Sequence, residues 1–124
     1  MIKMKSKRTI LYVDDEKINL LLFEINFQDK YKVIGADSPE KGFLQLKENP
    51  DISVVISDMR MPDMNGVQFV AKAKKKFPNI SYFILTGYDI TEEIADALRT
   101  GLIDRYFKKP FNLKEISEAV DNVP

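Results

Sequence analysis

Thr9-Ile10-Leu11-Tyr12-Val13-Asp14-Asp15 is a run of five strand-forming residues that ends abruptly in two carboxylates. Aliphatic, β-branched and aromatic side chains in an unbroken run suit a strand covered on both faces, as in a parallel sheet. A second run, Ser53-Val54-Val55-Ile56-Ser57, leads directly into Asp58. If the two strands are parallel neighbours, all three acids converge beyond their carboxyl ends. Carboxylates crowded together must take up a proton or bind a counter-ion, and their hard oxygens suit a divalent cation.

Working outward, strand-type runs alternate with helix-period segments. The strand candidates are Thr9–Val13, Tyr31–Ala36, Ser53–Ser57, Ser81–Leu85 and Arg105–Phe107. The first helix is predicted over Glu16–Phe27, with Ile18, Leu21, Leu22 and Ile25 along its inner side. Ser38-Pro39-Glu40 opens the second with a cap and a first-turn proline, and Phe43, Leu44 and Leu46 are its expected core residues. Asn65-Gly66 leads into the third, which turns Val67, Phe69, Val70 and Ala73 inward. Thr91 caps the fourth, which carries Ile94, Ala95 and Leu98, and Asn112 caps the fifth, which carries Ile116, Ala119 and Val120.

Five alternating β and α elements with short connections predict an α/β fold, a doubly wound five-stranded parallel sheet with right-handed crossovers. For five strands the flavodoxin-like order 2-1-3-4-5 is the natural choice, and it makes the first and third strands neighbours. Ligands in such sheets bind beyond the strand carboxyl ends where the winding reverses, where Asp14, Asp15 and Asp58 fall. Thr86 and Lys109 follow the fourth and fifth strands and reach the same edge. Three carboxylates, a hydroxyl and an ammonium together suit Mg²⁺ and a transferred phosphoryl group, with catalysis by positioning and electrostatics and a carboxylate as nucleophile.

Composition narrows the alternatives. A chain of 124 residues is one domain: residues 1–8 read as a basic, poorly ordered N-terminal segment and 9–124 as the folded unit. Nineteen basic and nineteen acidic residues balance to zero, which argues against nucleic acid or an acidic membrane surface as the main partner. Lys72-Ala73-Lys74-Lys75-Lys76 reads as a solvated helix face. Cysteine and histidine are both absent, so thiolate and imidazole chemistry are excluded from this chain. No apolar run approaches the roughly 18 residues needed to cross a bilayer, and no signal peptide is recognised, so a soluble, cytoplasmic protein is expected.

Asp14-Asp15, Asp58-Met59-Arg60-Met61-Pro62-Asp63-Met64-Asn65-Gly66, Thr86-Gly87 and Lys109-Pro110-Phe111 together resemble the receiver domain of two-component response regulators, over about Thr9 to Val120. The resemblance implies phosphorelay signalling, with Asp58 as phospho-acceptor from a sensor histidine kinase or phosphotransfer protein. It implies Mg²⁺ on Asp15, Asp58 and the Arg60 backbone carbonyl, with Asp14 assisting through water. Thr86 and Lys109 would take the phosphoryl oxygens. Thr86 would then move inward and Tyr106 would change rotamer, altering the face of the fourth helix, fifth strand and fifth helix. Lacking histidine, the chain needs an external donor, and Gly87 leaves the acceptor accessible to it.

Such a domain is a signalling switch that promotes its own phosphotransfer and dephosphorylation rather than a metabolic enzyme. Partners would be a downstream protein or an output domain, since none follows the fifth helix here; a homodimer through the switching face is also within what the resemblance allows. Arg60 and Tyr88 flank the expected path of attacking water and are predicted to tune phosphate lifetime. Met59, Met61 and Met64 read as loop packing. Two rival readings are a Mg²⁺-dependent phosphohydrolase with Asp58 as nucleophile and a binding module that is never phosphorylated. Against the first, such enzymes place an acid where Arg60 stands; against the second, a binding module needs neither the acids nor Lys109.

Overall fold

The computed structural model describes residues 7–124. Among them, five strands and five helices alternate: β1 (Thr9–Val13), α1 (Lys17–Phe27), β2 (Lys32–Ala36), α2 (Pro39–Glu48), β3 (Ile52–Asp58), α3 (Gly66–Lys76), β4 (Ser81–Thr86), α4 (Glu92–Arg99), β5 (Arg105–Lys108) and α5 (Leu113–Asp121). All strand pairs are parallel, in the order β2-β1-β3-β4-β5. The flavodoxin-like arrangement expected from the alternation is therefore the one formed. Most of the basic 1–8 segment lies outside the described residues; at its end, the Arg8 guanidinium donates to the carbonyls of Val123 and Pro124.

Alternation along each central strand sends side chains to two separate cores. Leu11 and Val13, with Val55 and Ile84, pack beneath α2, α3 and α4 against Leu46, Phe69, Val70 and Ile94. Ile10 and Tyr12, with Val54, Ile56, Phe83 and Leu85, pack on the other side against Phe23, Phe27, Ile116 and Val120 of α1 and α5. Each fully buried aliphatic or aromatic side chain contributes about 1.5–3 kcal/mol, which explains the near-continuous apolar runs of β1, β3 and β4.

Helix starts follow their sequence signals. Ser38, Thr91 and Asn112 each accept a hydrogen bond from the backbone N–H three residues on, and Asn65 with Gln68 forms a reciprocal capping box. The inner faces of α3 and α5 are those expected.

Three helix faces differ from expectation. On α1, Ile18, Leu21, Leu22 and Ile25 are all exposed, between 44% and 57%, while Phe23 and Phe27 are buried. The aromatics win because the Phe23 ring stacks on Tyr12 at 4.2 Å and lies 4.5 Å from Phe27, burying more area than the aliphatic row would. On α2, Leu44 is half exposed, because Gly42, Leu46 and Pro39 take the inner positions. On α4, Ala97 rather than Ala95 is fully buried beside Ile94.

Candidate functional site

The parallel register brings the strand ends together. Val13 pairs with Ser57, so Asp14 emerges level with Asp58, which is itself the last residue of β3. Thr86 closes β4, and Lys109 directly follows β5. Carboxylate oxygens of Asp14, Asp15 and Asp58 all lie within 4.8 Å of one another.

Asp14 is completely buried, and three donors orient its carboxylate. Oδ2 accepts from the Tyr12 hydroxyl at 2.7 Å and from Lys109 Nζ at 3.2 Å, and Oδ1 accepts from the Glu16 backbone N–H at 3.0 Å. Tyr12 joins the site in addition to the residues expected there: its ring belongs to the α1-side core, but its hydroxyl reaches around to the acid. Burial, followed by the negative field of Asp14, pushes the Tyr12 phenol far above its ordinary value, so it stays protonated and donates to Asp14. Asp15 is exposed and, among the described residues, has no hydrogen-bond or ion-pair partner.

Asp58 is nearly buried, with Oδ1 3.1 Å from Lys109 Nζ. Burial first, then the adjacent Asp14 charge, raises its pKa above the ordinary carboxylate value, with Lys109 opposing them in part. For Lys109, burial alone would lower the pKa, but Asp58 and Asp14 together outweigh it and hold the ammonium above its usual value. One lysine thus bridges two acids that would otherwise repel. The loop after Asp58 folds back closely: Gly66 N–H donates to the Met59 carbonyl at 2.8 Å. A Cβ at Gly66 would stand 2.4 Å from the Asp58 carbonyl oxygen, so only glycine fits.

Thr86 is buried, with Oγ1 accepting from the Tyr88 N–H at 3.2 Å. A Cβ added at Gly87 would meet no atom within 4 Å, so the approach on that side is open. The Arg60 guanidinium lies over the Tyr88 ring, 3.9 Å from its centroid, so the two residues singled out for kinetic tuning touch. Tyr106 stands apart from the acids: it is half-buried against the cluster containing Ile84, Ile94 and Ile103. Met59 is buried in that same cluster, and Met61 and Met64 pack on its edge.

The donor set fits a hard cation. Three carboxylates offer oxygens within reach of one centre, one of them unpaired, and the chain has no thiolate or imidazole ligand. No helix among the described residues is long and apolar enough to cross a membrane.

Comparison with known proteins agrees. The profile of the response regulator receiver domain matches residues 10–121. The sporulation initiation phosphotransferase F of Bacillus subtilis is 33% identical, over 90% of this chain and 89% of its own length. A cyclic di-GMP phosphodiesterase of Thermotoga maritima is 35% identical over 92% of the chain, but the chain spans only 31% of that protein. Among solved structures, the response regulator TrrA of Thermotoga maritima, in complex with Mg²⁺ and a beryllium fluoride, superposes with a TM-score of 0.80 at 26% identity, covering 94% of this chain and 99% of that one. Receiver domains of this kind bind Mg²⁺ in an acidic pocket, act as phospho-acceptor switches and interact with histidine kinases and phosphotransfer proteins. The chain belongs to the response regulator receiver domain family and to two-component phosphorelay signalling.

Proposed function

We propose that Asp58 is the residue that accepts the phosphoryl group, and that Lys109, Thr86 and Tyr106 convert its arrival into a changed surface. The observation that carries this reading is the bridging lysine: Lys109 sits 3.2 Å from Asp14 and 3.1 Å from Asp58, a cation held where negative charge will increase.

Asp15, Asp58 and the Arg60 carbonyl would hold Mg²⁺, with Asp14 beside them; when bound, the ion offsets the carboxylate charge and that of the incoming phosphoryl oxygens. An Asp58 carboxylate oxygen attacks the phosphorus of a phosphohistidine on the donor. The new O–P bond forms as the P–N bond breaks, and the departing imidazole keeps its electron pair and is protonated on the donor protein. Lys109 then pairs with one phosphoryl oxygen. The Thr86 hydroxyl donates to another, and its movement opens space beside β5 for the Tyr106 ring. A few kcal/mol of difference between the two arrangements redistributes them, and the α4-β5-α5 face is where a downstream protein or a second copy reads the change.

The exposed row Ile18, Leu21, Leu22 and Ile25 gives the donor a place to dock. It lies on α1, which starts two residues after Asp15, and an apolar row of that spacing accepts another helix. The test is intact mass after incubation with a small acyl phosphate and Mg²⁺. One added phosphoryl group is expected on the parent, and none after chelation or on Asp58→Asn. Equal labelling of Asp58→Asn, or no labelling of the parent, overturns the reading.

A further inference from the structure

A groove of about 1100 Å³ lies between α2 and α3. Its floor is apolar: Phe43, Leu44 and Phe77. That floor is preformed, since the Phe43 ring packs 4.9 Å from the buried Phe69 ring, and the Phe77 carbonyl accepts from the Tyr82 hydroxyl at 2.8 Å. Pre-organisation of this kind lowers the entropic cost of binding.

Five lysines line the same groove against a single acid, Glu40. Lys41 is paired with Asp37, but Lys47, Lys72, Lys75 and Lys76 have no ion pair among the described residues. A chain with no net charge therefore concentrates free cations around an apolar concavity. Helix-dipole compensation accounts for Lys47, Lys75 and Lys76, in the last turns of α2 and α3, but not for Lys72, which stands before the last turn of α3.

We propose that the α2–α3 groove docks an acidic amphipathic helix of a partner protein, with apolar side chains on the Phe43–Leu44–Phe77 floor and carboxylates on the lysine rim. Two flanking helices of 10 and 11 residues make a cradle for about three turns of a third. A second copy of this chain would set lysine rim against lysine rim. A membrane would meet a concave surface, and a nucleic-acid backbone would leave the apolar floor unfilled.

Selection of displayed helix-forming peptides against the intact protein, followed by fluorescence polarisation and amide shift mapping, tests this. Enriched peptides are expected to combine apolar residues at helical spacing with Asp and Glu, and to perturb α2 and α3 amides. Leu44→Ser, at a half-exposed position that leaves the core intact, and the double variant Lys72→Glu/Lys75→Glu are each expected to weaken binding at least about tenfold. Lys114→Glu on α5 leaves it unchanged, and added salt weakens it. The proposal is overturned if no peptide is enriched, if the shifts fall on another face, or if charge reversal has no effect. It is equally overturned if anionic phospholipid vesicles compete with the peptide for the parent but not for the double variant.

Discussion

Arg60 and Tyr88 are joined by a cation–π stack, 3.9 Å from guanidinium to ring centroid, which ties the residue two beyond Asp58 to the residue two beyond Thr86. Tyr88 is 52% exposed, so the stack is an outer fence rather than part of the core. Partly exposed pairs of this kind are worth about 0.5–1 kcal/mol. If the fence impedes attacking water, Arg60→Asn and Tyr88→Ala should each lose phosphate about two- to fivefold faster than the parent. Intact mass followed over time reads this directly. Unchanged or slower loss in both variants defeats the idea.

Lys109 neutralises two acids, so removing it should be felt even without phosphate. Lys109→Ala leaves Asp14 and Asp58 facing each other with no cation, at an expected cost of about 2 kcal/mol, discounted for the part of the lysine that solvent reaches. Thermal melts should show a lower Tm, and saturating Mg²⁺ should recover much of the deficit. A deficit indifferent to Mg²⁺ would mean that the lysine acts by packing alone.

Asp58 carries the opposite sign. Burial and the Asp14 charge raise its folded-state pKa, so the ionised carboxylate destabilises the fold, and Asp58→Asn should raise Tm by a few degrees at neutral pH in the absence of metal. The folded state binds its proton at a higher pH than the unfolded chain does. The advantage of the variant is therefore present above the folded pKa and shrinks as pH falls through it. It is gone below the unfolded value of about 3.8. Melts of both proteins across that range check the sign, and an advantage that grows with acidity would refute it.

Tyr12→Phe keeps the ring stacked on Phe23 and removes only the donor to Asp14 Oδ2. Loss of that bond should cost about 1 kcal/mol in stability and loosen the carboxylate's orientation. Titration calorimetry should then show Mg²⁺ affinity lowered several-fold. An unaltered affinity would confine Tyr12 to the core.

Strand order and the gathering of Asp14, Asp58 and Thr86 were legible because burial on both faces leaves near-continuous apolar runs, and each of these groups directly ends one; Lys109 instead follows the short, largely exposed β5 and was placed by the alternation of elements. The inner face of α1 was not legible. Apolar residues occupy seven of its eleven positions, so periodicity selects no side, and contacts with Tyr12 and Phe27 decide it. The part played by Tyr12 was hidden for a related reason: a strand aromatic reads as core, and here its ring is core while its hydroxyl is not. Contact between Arg60 and Tyr88 depends on how two loops approach, which spacing along the chain does not encode. The lysine-rimmed groove was hidden by a net charge of zero, since α2 and α3 contribute its cations from separate stretches.

The central claim is that one particular carboxylate receives the phosphoryl group. Borohydride reduces an aspartyl phosphate to homoserine, which marks the modified position permanently for peptide sequencing by mass spectrometry. After treatment with a small acyl phosphate and Mg²⁺, homoserine is expected at position 58 alone, and at no position once Mg²⁺ is chelated. Homoserine at position 14 or 15, or none anywhere despite added phosphate mass, would contradict the account.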